Sequence, residues 1–110
     1  MTFYTATGAA GAAVTLTMAA VGTAQYQISW LLVTMYNTAA RTGGVTPVNV
    51  TTSNLNGLRF DFPSAGAVGT MADQRIEPAN ALAAQATGAV TIVCPATASV
   101  IWTVNCWAVP

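Results

Sequence analysis

The stretch Ala24-Gln25-Tyr26-Gln27-Ile28-Ser29-Trp30-Leu31-Leu32-Val33-Thr34-Met35-Tyr36 decides how the chain folds. Side chains in an extended strand point alternately to two faces, so every second residue shares a face. One face here holds Tyr26, Ile28, Trp30 and Leu32. The other starts polar at Gln25, Gln27 and Ser29 and turns apolar at Leu31, Val33 and Met35. Aromatic and β-branched residues dominate, as a strand prefers. A second face that changes from wet to dry halfway along predicts a strand that leaves solvent for an interface or a second layer.

The same two-residue period recurs on both sides of this run. Val14, Leu16 and Met18 alternate with Thr15 and Thr17. Asn37 to Gly44 reads as a turn, with Gly43-Gly44 expected to supply positive φ angles. Val45 to Thr52 follows as a strand whose Pro47 confines it to a sheet edge or marks its start. Ser53 to Gly57 is a second turn. Leu58, Phe60 and Phe62 then point inward, with Arg59 and Asp61 outward and close enough to pair. Asp73, Arg75 and Glu77 share the outer face of another short strand. Pro78 to Ala86 admits either a helix, since proline suits a first turn, or a strand. Ala89 to Cys94 and Val100 to Ala108 read as two strands of a closing hairpin turned at Pro95 to Ser99. Short strands separated by turns predict an all-β antiparallel sandwich or barrel.

Met1 to Gly11 is rich in Thr, Gly and Ala, and Phe3 and Tyr4 are its only large side chains. It reads as an extended N-terminal arm, residues 1–12, preceding a single β-sandwich domain, residues 13–110.

Composition narrows the function. Of the 110 residues only three are basic (all Arg) and three acidic, with no Lys or His and a formal net charge of zero. A soluble domain ordinarily has about a quarter of its residues charged, so the exterior of this one is expected to be covered by partners. Three scattered arginines build no basic patch, which argues against nucleic acid and anionic membranes as partners. No apolar run approaches the ~20 residues of a membrane helix, and Ala9 to Val21 has no positive residue before it, as a secretory signal would.

Catalytic residue types are nearly missing. Without His or Lys there is no ordinary general base or Schiff-base amine, and Ser29, Ser53, Ser64 and Ser99 have nothing to activate them. Cys94 and Cys106 lie in apolar strands, where burial blunts a thiol. The hairpin reading places them too far apart for a disulfide. Asp73 and Glu77 fit a solvated rim beside Arg75 better than an acid/base pair. No metal-ligand spacing and no phosphate loop occur. The chain therefore reads as a non-enzyme with no cofactor and no metal. Trp30 and Trp102 are expected in the core. Trp107 has the opposite parity from Trp102, so one of the two must face outward and serve as an oligomer contact.

From about Val14 to Val109 the order of features resembles the small jelly-roll decoration, or cement, proteins of tailed bacteriophage heads. The residues that carry the likeness are Ala19-Ala20-Val21-Gly22 opening into Tyr26 to Val33 and the Ala39-Ala40-Arg41-Thr42-Gly43-Gly44 turn. The aromatic strand Leu58-Arg59-Phe60-Asp61-Phe62-Pro63 and the segments Ala89 to Val93 and Val100 to Asn105 complete it. Pro47, and the length of the N-terminal segment, depart from that pattern. The resemblance implies a jelly-roll-like β-sandwich without enzymatic activity. It further implies a homo-oligomer, in particular a trimer, that binds the major capsid protein on the outer surface of the virion. Phe3, Tyr4, Arg41 and Trp107 are then the expected oligomer or capsid contacts. Two other readings stay open: a phage or fibre knob that binds a host glycan or receptor, and a jelly-roll capsid subunit in its own right.

Overall fold

The computed structural model describes residues 1–110. Nine strands form: β1 (Thr2–Thr7), β2 (Val14–Met18), β3 (Gln27–Asn37), β4 (Val48–Ser53), β5 (Arg59–Phe62), β6 (Met71–Ile76), β7 (Leu82–Ala83), β8 (Val90–Cys94) and β9 (Val100–Val109). They make two antiparallel sheets. The first has the order β1-β9-β3-β6, with the two-residue β7 also pairing β3, and the second has the order β2-β8-β4-β5. The first half of the chain pairs with the second half in nested fashion: β1 with β9, β2 with β8, β3 with β6 and β4 with β5. Rolling that long hairpin adds β3·β9 and β4·β8 and yields a jelly roll.

The core is the sum of the inward faces. Val14, Leu16 and Met18 of β2 and Val90, Ile92 and Cys94 of β8 come from one sheet. Val33 and Met35 of β3 and Val100, Trp102, Val104, Cys106 and Ala108 of β9 come from the other. Phe62 and Trp102 join the sheets edge to face, with ring centroids 5.2 Å apart, and the Trp102 indole N–H donates to the Pro95 carbonyl at 2.9 Å. A buried tryptophan thus keeps its one polar atom satisfied.

Several expectations are revised by the pairing. Residues 2–7 are no free arm: β1 is the edge strand of the first sheet, in register with β9 from Thr2↔Ala108 to Thr7↔Thr103. Tyr4 and Ala6 turn inward and pack on the core, while Phe3, Thr5 and Thr7 face out. Strand β3 does not keep one phase. The register slips between Ile28 and Trp30, and this β-bulge flips every later side chain to the other face. Tyr26 and Ile28 are buried before it, Leu31, Val33 and Met35 after it. Trp30 and Leu32 are thereby carried to the outer face, so Trp30 is not a core residue. The wet-to-dry change in the sequence is the trace of that slip.

Strands β8 and β9 do not form a hairpin; they lie in opposite sheets and face each other across the core. Both cysteines are nonetheless free and buried. Cys94 pairs with Val14 at one end of β2, whereas Cys106 Sγ lies 3.9 Å from the sulfur of Met18 at the other end. Four residues of strand separate them, roughly 13 Å, against the ~4 Å between Cβ atoms that a disulfide needs. Pro47 immediately precedes β4, which is an internal strand, so the proline marks the strand's start. Residues 78–86 hold the short β7 and no helix. Gly43 and Gly44 do not adopt positive φ. Gly43 is required instead by close approach, because a Cβ there would overlap the backbone of Ser64.

Candidate functional site

Two features of the surface stand out, a cleft at one end of the sandwich and the outward face of the first sheet. The cleft, of about 360 Å³, is walled by the loop after β3, the start of β4, the segment after β5 and the β8–β9 turn. Its hydroxyls come from Thr42, Ser64, Thr97 and Ser99, its aliphatic wall from Ala40, Val48 and Ala98, and its one charge from Arg41.

Arg41 is built into this position from below. Asn37, the last residue of β3, is in phase with buried Met35 and is the only buried side chain outside the apolar and aromatic set. Its Nδ2 donates to Thr70 Oγ1 at 3.0 Å and its Oδ1 accepts from Arg41 Nη1 at 3.0 Å. Arg41 Nη1 and Nη2 also donate to the Pro63 carbonyl at 3.3 and 3.0 Å. The Arg41 backbone exchanges two hydrogen bonds with Gly66, where a Cβ would overlap the Asn37 amide. Opposite, the Thr38 amide donates to the Ser99 carbonyl at 2.9 Å, and Ser99 holds a left-handed φ of 62°. Both walls are therefore tied to each other, and the guanidinium is fixed rather than waving from a loop tip.

The electrostatics of this end are unusual for the chain. Arg59 pairs with Asp61 at 3.1 Å and Arg75 with Glu77 at 3.6 Å. Arg41 pairs with no carboxylate; all its acceptors are neutral.

On the first sheet's outward face, register places residues in rows. Phe3, Trp107 and Trp30 stand side by side, followed by Thr5, Asn105, Leu32 and Arg75. Thr7, Thr103, Thr34 and Asp73 come next, and then Ile101, Tyr36 and Met71. The Phe3 and Trp107 rings lie 4.8 Å apart at 49°, and both are more than two-fifths exposed. Thr5 donates to Asn105 Oδ1 at 2.7 Å beside them. The face is apolar at both ends and neutral along most of its middle.

Of the residues expected to make contacts, Phe3 and Trp107 are brought together on this face. Tyr4 is turned away from it, edge-on to Tyr26 at 6.1 Å between ring centroids. Arg41 lies apart, in the end cleft. Sequence reading passes over Asn37 and Tyr36 and expects Trp30 in the core. The parity of Asn37 with Met35 was the available signal for the first, while the bulge concealed the other two.

Inside, burial pushes the Cys94 and Cys106 thiols up to about 12, so neither is a thiolate near neutral pH. No group of three or more His, Cys, Asp or Glu side chains gathers to hold a metal, and no helix is long and apolar enough to cross a membrane.

The fold defines the class as a jelly-roll β-sandwich. No family model and no curated protein matches the chain. Among solved structures, one described as "Family 16 Carbohydrate Binding Module-2" is similar over 94% of this chain and 74% of that chain, with 8% sequence identity and a TM-score of 0.36. That degree of similarity assigns neither a family nor a function to this chain.

Proposed function

We propose that the protein is a non-enzymatic virion structural protein, a decoration or cement protein that binds the assembled phage head as a homotrimer and stabilises it. The observation that carries this reading is the outward face of the first sheet. It presents Phe3, Trp107, Trp30, Leu32, Ile101, Tyr36 and Met71 around a neutral Thr and Asn centre, with only Asp73 and Arg75 charged. Phe3, Trp107, Tyr36 and Met71 are exposed and Trp30, Leu32 and Ile101 half-buried. Contiguous exposed apolar side chains favour an interaction site, and a neutral surface costs less to desolvate than a charged one.

The mechanism is linkage. A protein that binds only the assembled shell stabilises that state by mass action, and three joined footprints act with avidity. Its partners are a second and third copy of itself and the major capsid protein, on the outside of the virion. Native mass spectrometry at micromolar concentration tests the first half, with a trimer expected and a monomer at every concentration overturning it. Co-sedimentation with expanded heads of the parent phage tests the second half. Equal recovery with and without heads would exclude the role.

A second reading, a receptor-binding knob, draws on the Phe3–Trp107 ring pair beside the Asn105 amide, since aromatic faces with adjacent hydrogen-bonding groups suit a sugar ring. A glycan array discriminates the two.

A further inference from the structure

We propose that the end cleft is a carboxylate-binding site, with the Nε–Nη2 edge of Arg41 as its recognition element. This goes beyond the decoration reading and does not depend on it. The guanidinium offers five N–H donors in a planar fork. Its Nη1–Nη2 end is occupied by the Pro63 carbonyl, and Nη1 also by Asn37 Oδ1. The side edge, formed by Nε–H and the second Nη2 proton, has no protein acceptor. Those two parallel N–H groups match the two oxygens of a carboxylate, the geometry in which arginine binds acids most strongly.

Three further observations point the same way. Arg41 is the one arginine in the chain without an acidic partner, so its charge is uncompensated where it lines a concave surface. Its supports are rigid, because Asn37 is buried, is satisfied at both ends, and sits under a glycine that admits no side chain. A pre-fixed fork loses little conformational entropy when it binds. Finally, Thr42 and Ser99 carry hydroxyls that make no hydrogen bond within the protein and that line the same cleft. They are placed to donate to a ligand's remaining oxygens. A cleft of about 360 Å³ lies at the lower end of small-ligand sites. It has room for one acidic side chain or one acidic monosaccharide.

The test is an amide-detected NMR titration of the intact protein at fixed ionic strength and neutral pH. Two acids are compared with their neutral isosteres: N-acetylglutamate α-amide with N-acetylglutamine α-amide, and glucuronate with glucose. The site predicts saturable shifts of the Arg41 Nε–H and of the Thr42, Ser64 and Ser99 amides with the acids, at a Kd of about 1–30 mM. The neutral compounds leave them unmoved, and binding disappears as the ligand's carboxyl protonates below pH ~4. Whichever acid binds more tightly tells whether the natural carboxylate is a protein side chain or a sugar acid. Arg41→Gln abolishes the shifts, and the unmodified protein already decides the matter should that variant fold poorly. Equal shifts from the neutral isosteres, equal shifts from sulfate, or none from either acid at about 50 mM overturns the proposal.

Discussion

Phe62 and Trp102 meet edge to face across the two sheets, with centroids 5.2 Å apart and ring planes at 79°. Phe62 belongs to the last strand of one sheet and Trp102 to an inner strand of the other, so the pair clamps the layers where the second sheet ends. Phe62→Ala removes the ring and leaves a void that the rigid strands around it cannot fully close. A loss of about 3–5 kcal/mol is expected, measured as a shift of the urea midpoint at constant slope. A loss below ~1 kcal/mol would mean the clamp is slack.

Gly66 lies against the Asn37 amide with no room for a Cβ. Gly66→Ala is expected to destabilise by about 1–3 kcal/mol, as overpacking does, and to move the Arg41 Nε–H resonance. Gly44 has nothing within 4 Å of a would-be Cβ. Gly44→Ala should stay within ~0.5 kcal/mol of the parent, so the pair separates steric demand from loop flexibility.

The raised thiol pKa values carry a pH dependence. In the unfolded chain the two thiols titrate near 9, in the folded protein near 12, because burial disfavours the thiolate. The folded state therefore holds more protons between those values. The contribution of each thiol to stability is complete below pH 9 and declines as pH rises through that window, by up to about 1.4 kcal/mol per pH unit. Denaturation series from pH 8 to ~9.5 should show the decline, and Cys94→Ala/Cys106→Ala should flatten it there. Buried Tyr26, raised from 10.0 to about 12, adds its own decline only at higher pH. In the native protein at pH 8, a thiol reagent should label neither cysteine until urea is added.

Pairing of β1 with β9 predicts that the amides of residues 2–7 bonded across that ladder exchange more slowly than those of the exposed 43–46 loop in the free protein. Exchange at equal rates would restore the free arm.

Phe3→Ser/Trp107→Ser leaves the core intact, since both rings face out. The folded monomer should lose about 0.5–1.5 kcal/mol of ring-pair energy. Native mass spectrometry should show a lower assembly state if this face is the subunit contact.

Much of the architecture could be read locally. Val14-Leu16-Met18 and Phe60-Phe62 declare their inward faces because nothing interrupts the two-residue period. Trp102 and Trp107 separate by parity for the same reason. What could not be read depends on geometry that local pattern does not encode. A single extra residue at Ser29 inverts the faces of Trp30 through Asn37 without changing composition. The 89–94 and 100–108 segments alternate equally well as hairpin partners or as opposite walls, and only the rolled topology chooses between them. Along Thr2–Thr7 the adjacent Phe3 and Tyr4 put one aromatic on each face, which left little apolar contrast between the two. At the cleft, Arg41 could be singled out by its loop, but its supports Asn37, Pro63 and Thr70 come from separate segments.

Thr2 stands opposite Ala108 on neighbouring strands, so the start of the first strand and the finish of the last lie about 5 Å apart. A short tether between them closes the backbone into a ring without disturbing any ladder, and the ring reopens at fully exposed Val45. Such a circular permutant keeps every pairing while relocating its ends to the side of the cleft. Cargo joined beside Thr2 or Ala108 would leave by that end of the first sheet, and cargo joined at the permuted ends by the cleft side.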